Sequence, residues 1–226
     1  MEKIYDELTT RALYAYPERS IAYPLLERFT YPWEALDFIS DFIEEIGKTL
    51  STDEYDMLDG NIYISKKATV SPTAHIGGPC IICEGAEVRH CAYIRGKAIV
   101  GKGAVVGNSV ELKNCILFDG TQVPHFNYVG DSVLGYKSHL GAGAVTSNVK
   151  SDKTSVTVNF NGVRIESGRK KFGAMLSDNV EVGCNSVLNP GTIVGRNSNV
   201  YPLSSVRGYI PENSIFKSQN NIVTKK

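Results

Sequence analysis

Between residues 58 and 206 aliphatic side chains recur at every sixth position: Leu58, Ile64, Val70, Ile76, Ile82, Val88, Ile94, Val100, Val106 and Leu112, then Leu176, Val182, Leu188, Val194, Val200 and Val206. No helix has that period. A small residue stands two places before most of them, as at Ala68, Ala86, Ala98, Ala174, Ser186 and Ser198. Short flat strands separated by tight turns fit the pattern, three such units closing one triangular coil. The chain is therefore predicted to be mainly β, a single-stranded parallel β-helix with the aliphatic ladder inside and the small residues where the wall bends. Glycines just after the aliphatic position, such as Gly77, Gly101, Gly107, Gly183 and Gly195, are expected at corners that need positive φ.

The ladder falters between Leu112 and Leu140. It survives if Leu117, Val123, Val129 and Leu134 point inward, with five-residue steps from Leu112 to Leu117 and from Val129 to Leu134. Between those steps lies Pro124-His125-Phe126-Asn127-Tyr128, and breaks in local regularity mark candidate functional positions. A second interruption covers about residues 147–171. Thr154, Val156 and Val158 alternate with their neighbours, Asn161-Gly162 is a type I′ turn signal, and the chain can return over 163–166. This predicts a β-hairpin arm with Arg169-Lys170-Lys171 at its base.

Residues 1–57 lack the repeat. Leu36, Ile39, Ile43, Ile46 and Leu50 share one face of an amphipathic helix expected over residues 34–50, while Pro17, Pro24 and Pro32 divide the upstream chain into short helices and turns. Because the end of a solenoid exposes strand edges and core side chains, this segment is expected to cap the first coil. The chain thus divides into a helical cap (1–57), a β-helix (58–216) and a C-terminal tail (217–226).

Composition narrows the function. Twenty-four basic and 24 acidic residues cancel, so nothing global favours nucleic acid or an anionic membrane. The opening MEKIYDELTT is unlike a signal peptide, no apolar run approaches the ~20 residues of a membrane span, and five cysteines suit a reducing compartment; a cytoplasmic location is expected. Cys80-Ile-Ile-Cys83 has no second pair to complete a metal site, and Cys80 falls on the inward small-residue position, which points to packing. No metal is expected.

His125 follows the inward Val123 by two and should point outward, beside Tyr128. Arg95 and Lys113 are eighteen residues apart, one coil, and should stack on its outer surface. Stacked cations repel unless an anion bridges them, which suits a phosphate; an idle surface charge cluster is the bland alternative.

The ordered segments Val106-Gly-Asn-Ser-Val-Glu-Leu-Lys113, Pro124-His-Phe-Asn-Tyr-Val-Gly-Asp131, Leu140-Gly-Ala-Gly-Ala-Val-Thr-Ser-Asn148 and Ser167-Gly-Arg-Lys-Lys-Phe-Gly-Ala-Met-Leu-Ser-Asp-Asn179 resemble a known family. They are similar to the hexapeptide-repeat acyltransferases with a left-handed β-helix, in particular the acetyltransferase domain of bifunctional glucosamine-1-phosphate N-acetyltransferase/N-acetylglucosamine-1-phosphate uridylyltransferase, and to archaeal-type sugar-1-phosphate nucleotidylyltransferases. The resemblance covers about residues 60–216. It implies acetyl-CoA as cofactor, an amino-sugar phosphate such as glucosamine 1-phosphate as acceptor, and a homotrimer with sites in the clefts between protomers.

By position the resemblance makes His125 the general base, puts Arg95, Lys113 and Tyr128 on the sugar phosphate, and sets Asn148 at the sugar and acetyl group. The backbone N–H near Ala142 would polarise the thioester carbonyl. His139 stands where the bacterial pattern has asparagine and Cys184 where it has serine; either Lys150 or Lys153 matches a lysine of the loop after Asn148. The uridylyltransferase half has no counterpart in the sequence. A non-catalytic β-helical scaffold or sugar-nucleotide-binding subunit is the competing reading. A third, a three-histidine metalloenzyme on the same coil, conflicts with the scatter of His75, His90, His125 and His139.

Overall fold

The computed structural model of the chain describes residues 3–225; Met1 and Glu2 of the expected cap and Lys226 of the expected tail lie outside the described residues. The aliphatic ladder folds as its period requires. From Ile82 through Leu112, Leu117, Val123, Val129 and Leu134 to Val206, the inward residues form one continuous buried core, with Ile64, Val70 and Ile76 partly buried against its first end. Three walls enclose it. The first contains Ile62–Ser65, Cys80–Ile82, Ala98–Val100, Ala174–Leu176 and Thr192–Val194; the second Glu87–Val88, Val105–Asn108, Gln122–His125, His139–Leu140 and Glu181–Val182; the third Tyr93–Ile94, Val145–Thr146 and Val187–Leu188. Strands stack in parallel along each wall, with partners such as Cys80↔Ala98 and Val88↔Val106.

The two five-residue steps have a structural consequence. Glu111–Leu117 and Tyr128–Leu134 each run without a break from the third wall into the first, so these walls merge into one 14-stranded sheet. At the bend of each strand one residue takes positive φ, Asn114 at 49° and Asp131 at 48°, a conformation Asn and Asp accept more readily than most side chains.

Several expectations are corrected. Leu58 is not inward: it is 54% exposed on Tyr55–Leu58, a strand antiparallel to Ile62–Ser65 that covers the edge of the first coil. The Gly60-Asn61 pair, both at positive φ, turns the chain there and breaks the period. The expected 34–50 helix is two elements, a 3₁₀ turn Pro32–Asp37 and an α-helix Ile39–Gly47, interrupted at Phe38 (φ −102°, ψ 0°). Nor does the helical segment sit over the end of the solenoid. It lies along the first wall, where Leu36, Ile39, Phe42, Ile43, Trp33 and Tyr14 bury the outward side chains Ile81, Ile99, Ile116, Val133, Met175 and Ile193. At the other end, part of the expected tail, Asn221–Thr224, pairs antiparallel with Ser214–Ser218.

The arm forms as the Asn-Gly signal predicts: Thr157–Phe160 pairs antiparallel with Val163–Glu166, and Asn161 (φ 47°) and Gly162 (φ 81°) make the turn. It folds down rather than reaching away. Val156, Val158 and Phe160 are buried in the same apolar layer as the helical segment, beside Phe172 and Ile193.

The corner glycines serve a different purpose from the one expected. Gly77, Gly101, Gly107, Gly183 and Gly195 do not have positive φ; backbone from the adjacent coil passes where a side chain would be, and a Cβ at Gly101 would lie 2.5 Å from the carbonyl carbon of Phe118. Replacing Gly101 with alanine forces two stacked corners apart. We expect about 1–3 kcal/mol lower stability, the usual range for overpacking, measured by denaturant unfolding.

Candidate functional site

Cys80 and Cys83 are both buried, but alternate residues of a strand face opposite sides. Cys80 belongs to the coil interior and Cys83 to the layer under the helical segment. Burial pushes the Cys83 thiol up to about 12, and that of Cys80 higher still, which leaves both thiols protonated.

The shortened corner between the third and first walls gathers a polar cluster around Asp131, which is 3% exposed. Its carboxylate accepts hydrogen bonds from Asn114 Nδ2 (2.8 Å) and from Asn148 Nδ2, and lies 3.4 Å from Lys113 Nζ. Asn148 Nδ2 also donates to the Tyr128 hydroxyl at 3.2 Å. Burial, reinforced by the nearby Asp131 charge, raises the Tyr128 pKa, so the phenol stays protonated at neutral pH. Asp131 sits at the end of the HxNYVGD segment, but only the strand register reveals it as the hub of the cluster.

Arg95 lies on the neighbouring coil, as its spacing predicts, since the Arg95 N–H donates to Leu112 O just before Lys113. The picture of two mutually repelling cations is corrected. Arg95 Nη1 pairs with Glu111 Oε1 at 2.8 Å, and Lys113 has Asp131. Glu111 stands directly beside Tyr128 in the strand register, so Arg95, Lys113, Tyr128 and Asn148 share one surface.

His125 occupies the preceding corner, between the second and third walls, and is exposed as expected. Its backbone is held from below. The His125 carbonyl accepts from Gly143 N–H at 3.0 Å, and its N–H donates to Asn127 Oδ1 at 3.1 Å. Buried Asn127 in turn donates to the carbonyls of Gly141 (2.8 Å) and Ala144 (3.0 Å), fastening the histidine segment onto the Gly-Ala-Gly-Ala coil. The place of Asn127 in the motif gives no sign of this role, which depends on the stacking of the coils. Cys184 lies one coil further on, exposed, at the same corner. His125, Ala142 and Cys184 therefore form a row along one edge.

The Ala142 N–H, half-exposed in its turn, donates to no protein acceptor among the described residues. It is available to a ligand carbonyl. Two predicted residues lie apart. His139 faces outward on the second wall, where Nδ1 meets Glu181 Oε2 at 2.8 Å. Lys153 is exposed in the loop before the arm, at φ 60°, and neighbouring Lys150 reaches Thr154 Oγ1 at 2.5 Å instead. Within one chain neither lysine joins the Asp131 cluster.

The domain family described as the GMPPB C-terminal domain matches residues 76–168. The chain is 34% identical over 197 residues to the bifunctional protein GlmU of Methanococcus vannielii, covering 86% of this chain and 47% of that protein. It is 35% identical over 178 residues to a bifunctional sugar-1-phosphate nucleotidylyltransferase/acetyltransferase of Sulfurisphaera tokodaii, covering 71% of this chain and 44% of that one. The chain thus spans about half the length of the curated relatives it matches. Among solved structures, the acetyltransferase domain of PglB from Neisseria gonorrhoeae aligns with TM-score 0.37 and 16% identity over 84% of this chain and 66% of that one. The polySia-specific acetyltransferase NeuO aligns with TM-score 0.48 and 14% identity over 75% and 79%.

Proposed function

We propose, from the premise that this chain belongs to the left-handed β-helix, hexapeptide-repeat family, that it is an acetyl-CoA-dependent N-acetyltransferase acting on an amino-sugar phosphate such as glucosamine 1-phosphate. The observation that carries the reading is the clustering of Lys113, Tyr128 and Asn148 around Asp131, with Arg95 beside them and His125 on the adjoining edge. The name of the Sulfurisphaera tokodaii relative, which pairs a nucleotidylyltransferase with an acetyltransferase, supports it.

Bound acetyl-CoA would supply an activated acetyl thioester. The chain's own residues would do the rest. A protonated amine is no nucleophile, so the exposed imidazole of His125 would take its proton. The free Ala142 N–H, on the coil that carries the His125 backbone, would donate to the carbonyl oxygen as negative charge develops there. Arg95 and Lys113 would hold the phosphate, and Asn148, fixed by Asp131 and Tyr128, would orient the sugar. Cys184, next along the edge, would line the path of the cofactor.

A homotrimer would complete the site. Tyr93 (45% exposed) and Val187 on the third wall, with Phe126 (62%), Tyr201 and Leu203 (80%) on the edge that carries His125, give this side an uncovered apolar surface suited to another copy. In such an assembly His139 on the second wall of one protomer could serve the cleft of its neighbour. Light scattering should give three times the chain mass; a monomer that retains full activity would rule the assembly out.

The substrate placement is tested by kinetics. Arg95→Ala removes a guanidinium whose partner within the chain is a half-exposed glutamate. We expect the KM for glucosamine 1-phosphate to rise about tenfold or more with the KM for acetyl-CoA nearly unchanged, the loss of one charge-assisted contact. Lys113→Ala should behave alike. Equal effects on both substrates would contradict the assignment.

A further inference from the structure

One buried side chain outside the acceptor cluster ties the base to the backbone donor. Asn127 stands at the small-residue position of its coil, where other coils carry Ala92, Val110, Ala144, Ser186 and Ser204 at the same corner. Phe126, at φ 53°, turns the chain there, so His125 stays outside while Asn127 enters the coil and is 2% exposed. A buried amide needs its hydrogen bonds met within the fold. Both ends of this one are satisfied. Oδ1 accepts the His125 N–H at 3.1 Å, and Nδ2 donates to Gly141 O at 2.8 Å and to Ala144 O at 3.0 Å. Alanine or valine at this place could make none of these bonds.

Gly141 O belongs to the same peptide unit as the Ala142 N–H, the donor that no protein acceptor takes among the described residues. In a trans peptide the C=O and N–H point in opposite directions along one rigid plane, so a bond that fixes the oxygen inward fixes the hydrogen outward. The oxygen is held twice, since the Ala144 N–H donates to it at 3.1 Å alongside the Asn127 amide. Hydrogen bonds linked through one peptide polarise each other, and bonds accepted by its carbonyl make its N–H a stronger donor. The next N–H of the turn, that of Gly143, donates back to His125 O at 3.0 Å. Through Asn127 the imidazole and the outward N–H share one support.

We propose that Asn127 is a positioning residue for acetyl transfer: it aims the Ala142 N–H at the thioester carbonyl oxygen and fixes that donor relative to His125, which rests on the acetyl-transfer reading of the site. The test is Asn127→Ala, because alanine is the residue of equivalent coils and fits the wall. The kcat should fall about 10- to 100-fold, less than the outright loss of an oxyanion donor, while KM for acetyl-CoA and for glucosamine 1-phosphate changes less than about twofold. Asn127→Asp, equal in size, keeps an acceptor for the His125 N–H, but its carboxylate has no hydrogen for Gly141 O; it should be impaired at least as much. Ser204→Ala, at the same position two coils beyond, deletes a hydroxyl that donates to Tyr201 O at 2.6 Å. It should lower the melting temperature and leave kcat unchanged. A second readout needs no turnover. In protein carrying isotope-labelled alanine, with the Ala142 signal identified by its loss in Ala142→Gly, acetyl-CoA alone should move the Ala142 amide proton downfield, and most of that shift should vanish in Asn127→Ala. A parent-like kcat in Asn127→Ala, or an equal shift in both proteins, would overturn the proposal. If the parent transfers no acetyl group, the transfer reading falls and the amide decides alone: a shift present in the parent and lost in the variant upholds the placement of the Ala142 N–H by Asn127, and no shift in the parent overturns it.

Discussion

Replacing His125 with alanine is expected to lower acetyl transfer by roughly 10²- to 10⁴-fold, the usual contribution of a positioned general base, while the protein remains folded. The imidazole is exposed, so its removal leaves no cavity in the coil. The backbone around it is held by groups that the substitution keeps, the Gly143 N–H and the Asn127 side chain. Loss of rate should therefore appear in kcat, with an unaltered melting curve. His125→Gln, similar in reach but unable to take a proton at neutral pH, should be equally impaired. A variant that releases thiol at the parent's rate would remove His125 from the mechanism.

The second large effect concerns stability. A chain beginning near Ser51 should aggregate or lose its cooperative unfolding transition, because the missing segment covers most of an apolar wall, the arm covering the rest. Ile81, Ile99, Ile116, Val133 and Met175, all now fully buried, would lose cover, each at roughly 1.5–3 kcal/mol for a side chain that should be inside. Domains of this size are stable by only about 5–15 kcal/mol, so the exposure is of the order of the whole margin. Trp33→Ala offers a milder version. The indole is 2% exposed, stacks on Tyr31 at 4.4 Å and faces Phe172 at 5.6 Å, and its removal should cost about 3–5 kcal/mol by denaturant unfolding. A truncated chain as soluble and as heat-stable as the parent would show that the wall does not need its cover.

These expectations differ from the end-capping role read in the sequence, for an identifiable reason. An amphipathic pattern says that a face must be buried and leaves its partner open. The partner was nevertheless written in the repeat. On the first wall the residue just before the inward aliphatic is itself apolar on coil after coil: Ile81 before Ile82, Ile99 before Val100, Ile116 before Leu117, Val133 before Leu134, Met175 before Leu176, Ile193 before Val194. On the second wall the equivalent residues include Glu87, Gln122, His139, Glu181 and Asn199. Wall one was the one that required a cover.

The inward ladder was legible because a six-residue period belongs to no other local structure, and it held even across the two shortened steps. Leu58 failed because a turn at Gly60-Asn61 reverses the chain, an event that periodicity alone does not register. The candidate site was legible only in part. Spacing placed Arg95 beside Lys113 on one surface, but their carboxylate partners, Glu111 and Asp131, lie on the following coil and emerge only when strands are set in register. Asp131 owes its position to a five-residue step and Asn127 to its burial beneath the histidine. Neither residue type advertises such a role in sequence.

The central claim is that the Asp131 cluster and the His125 edge together transfer an acetyl group to an amino-sugar phosphate. The most direct measurement is thiol release from acetyl-CoA by the full chain, with and without glucosamine 1-phosphate. Release should depend on the amine and disappear when N-acetylglucosamine 1-phosphate, already acylated, replaces it. No amine-dependent release with this acceptor or with other amino-sugar phosphates would contradict it, and would favour a β-helical subunit that binds sugar nucleotides without turning them over.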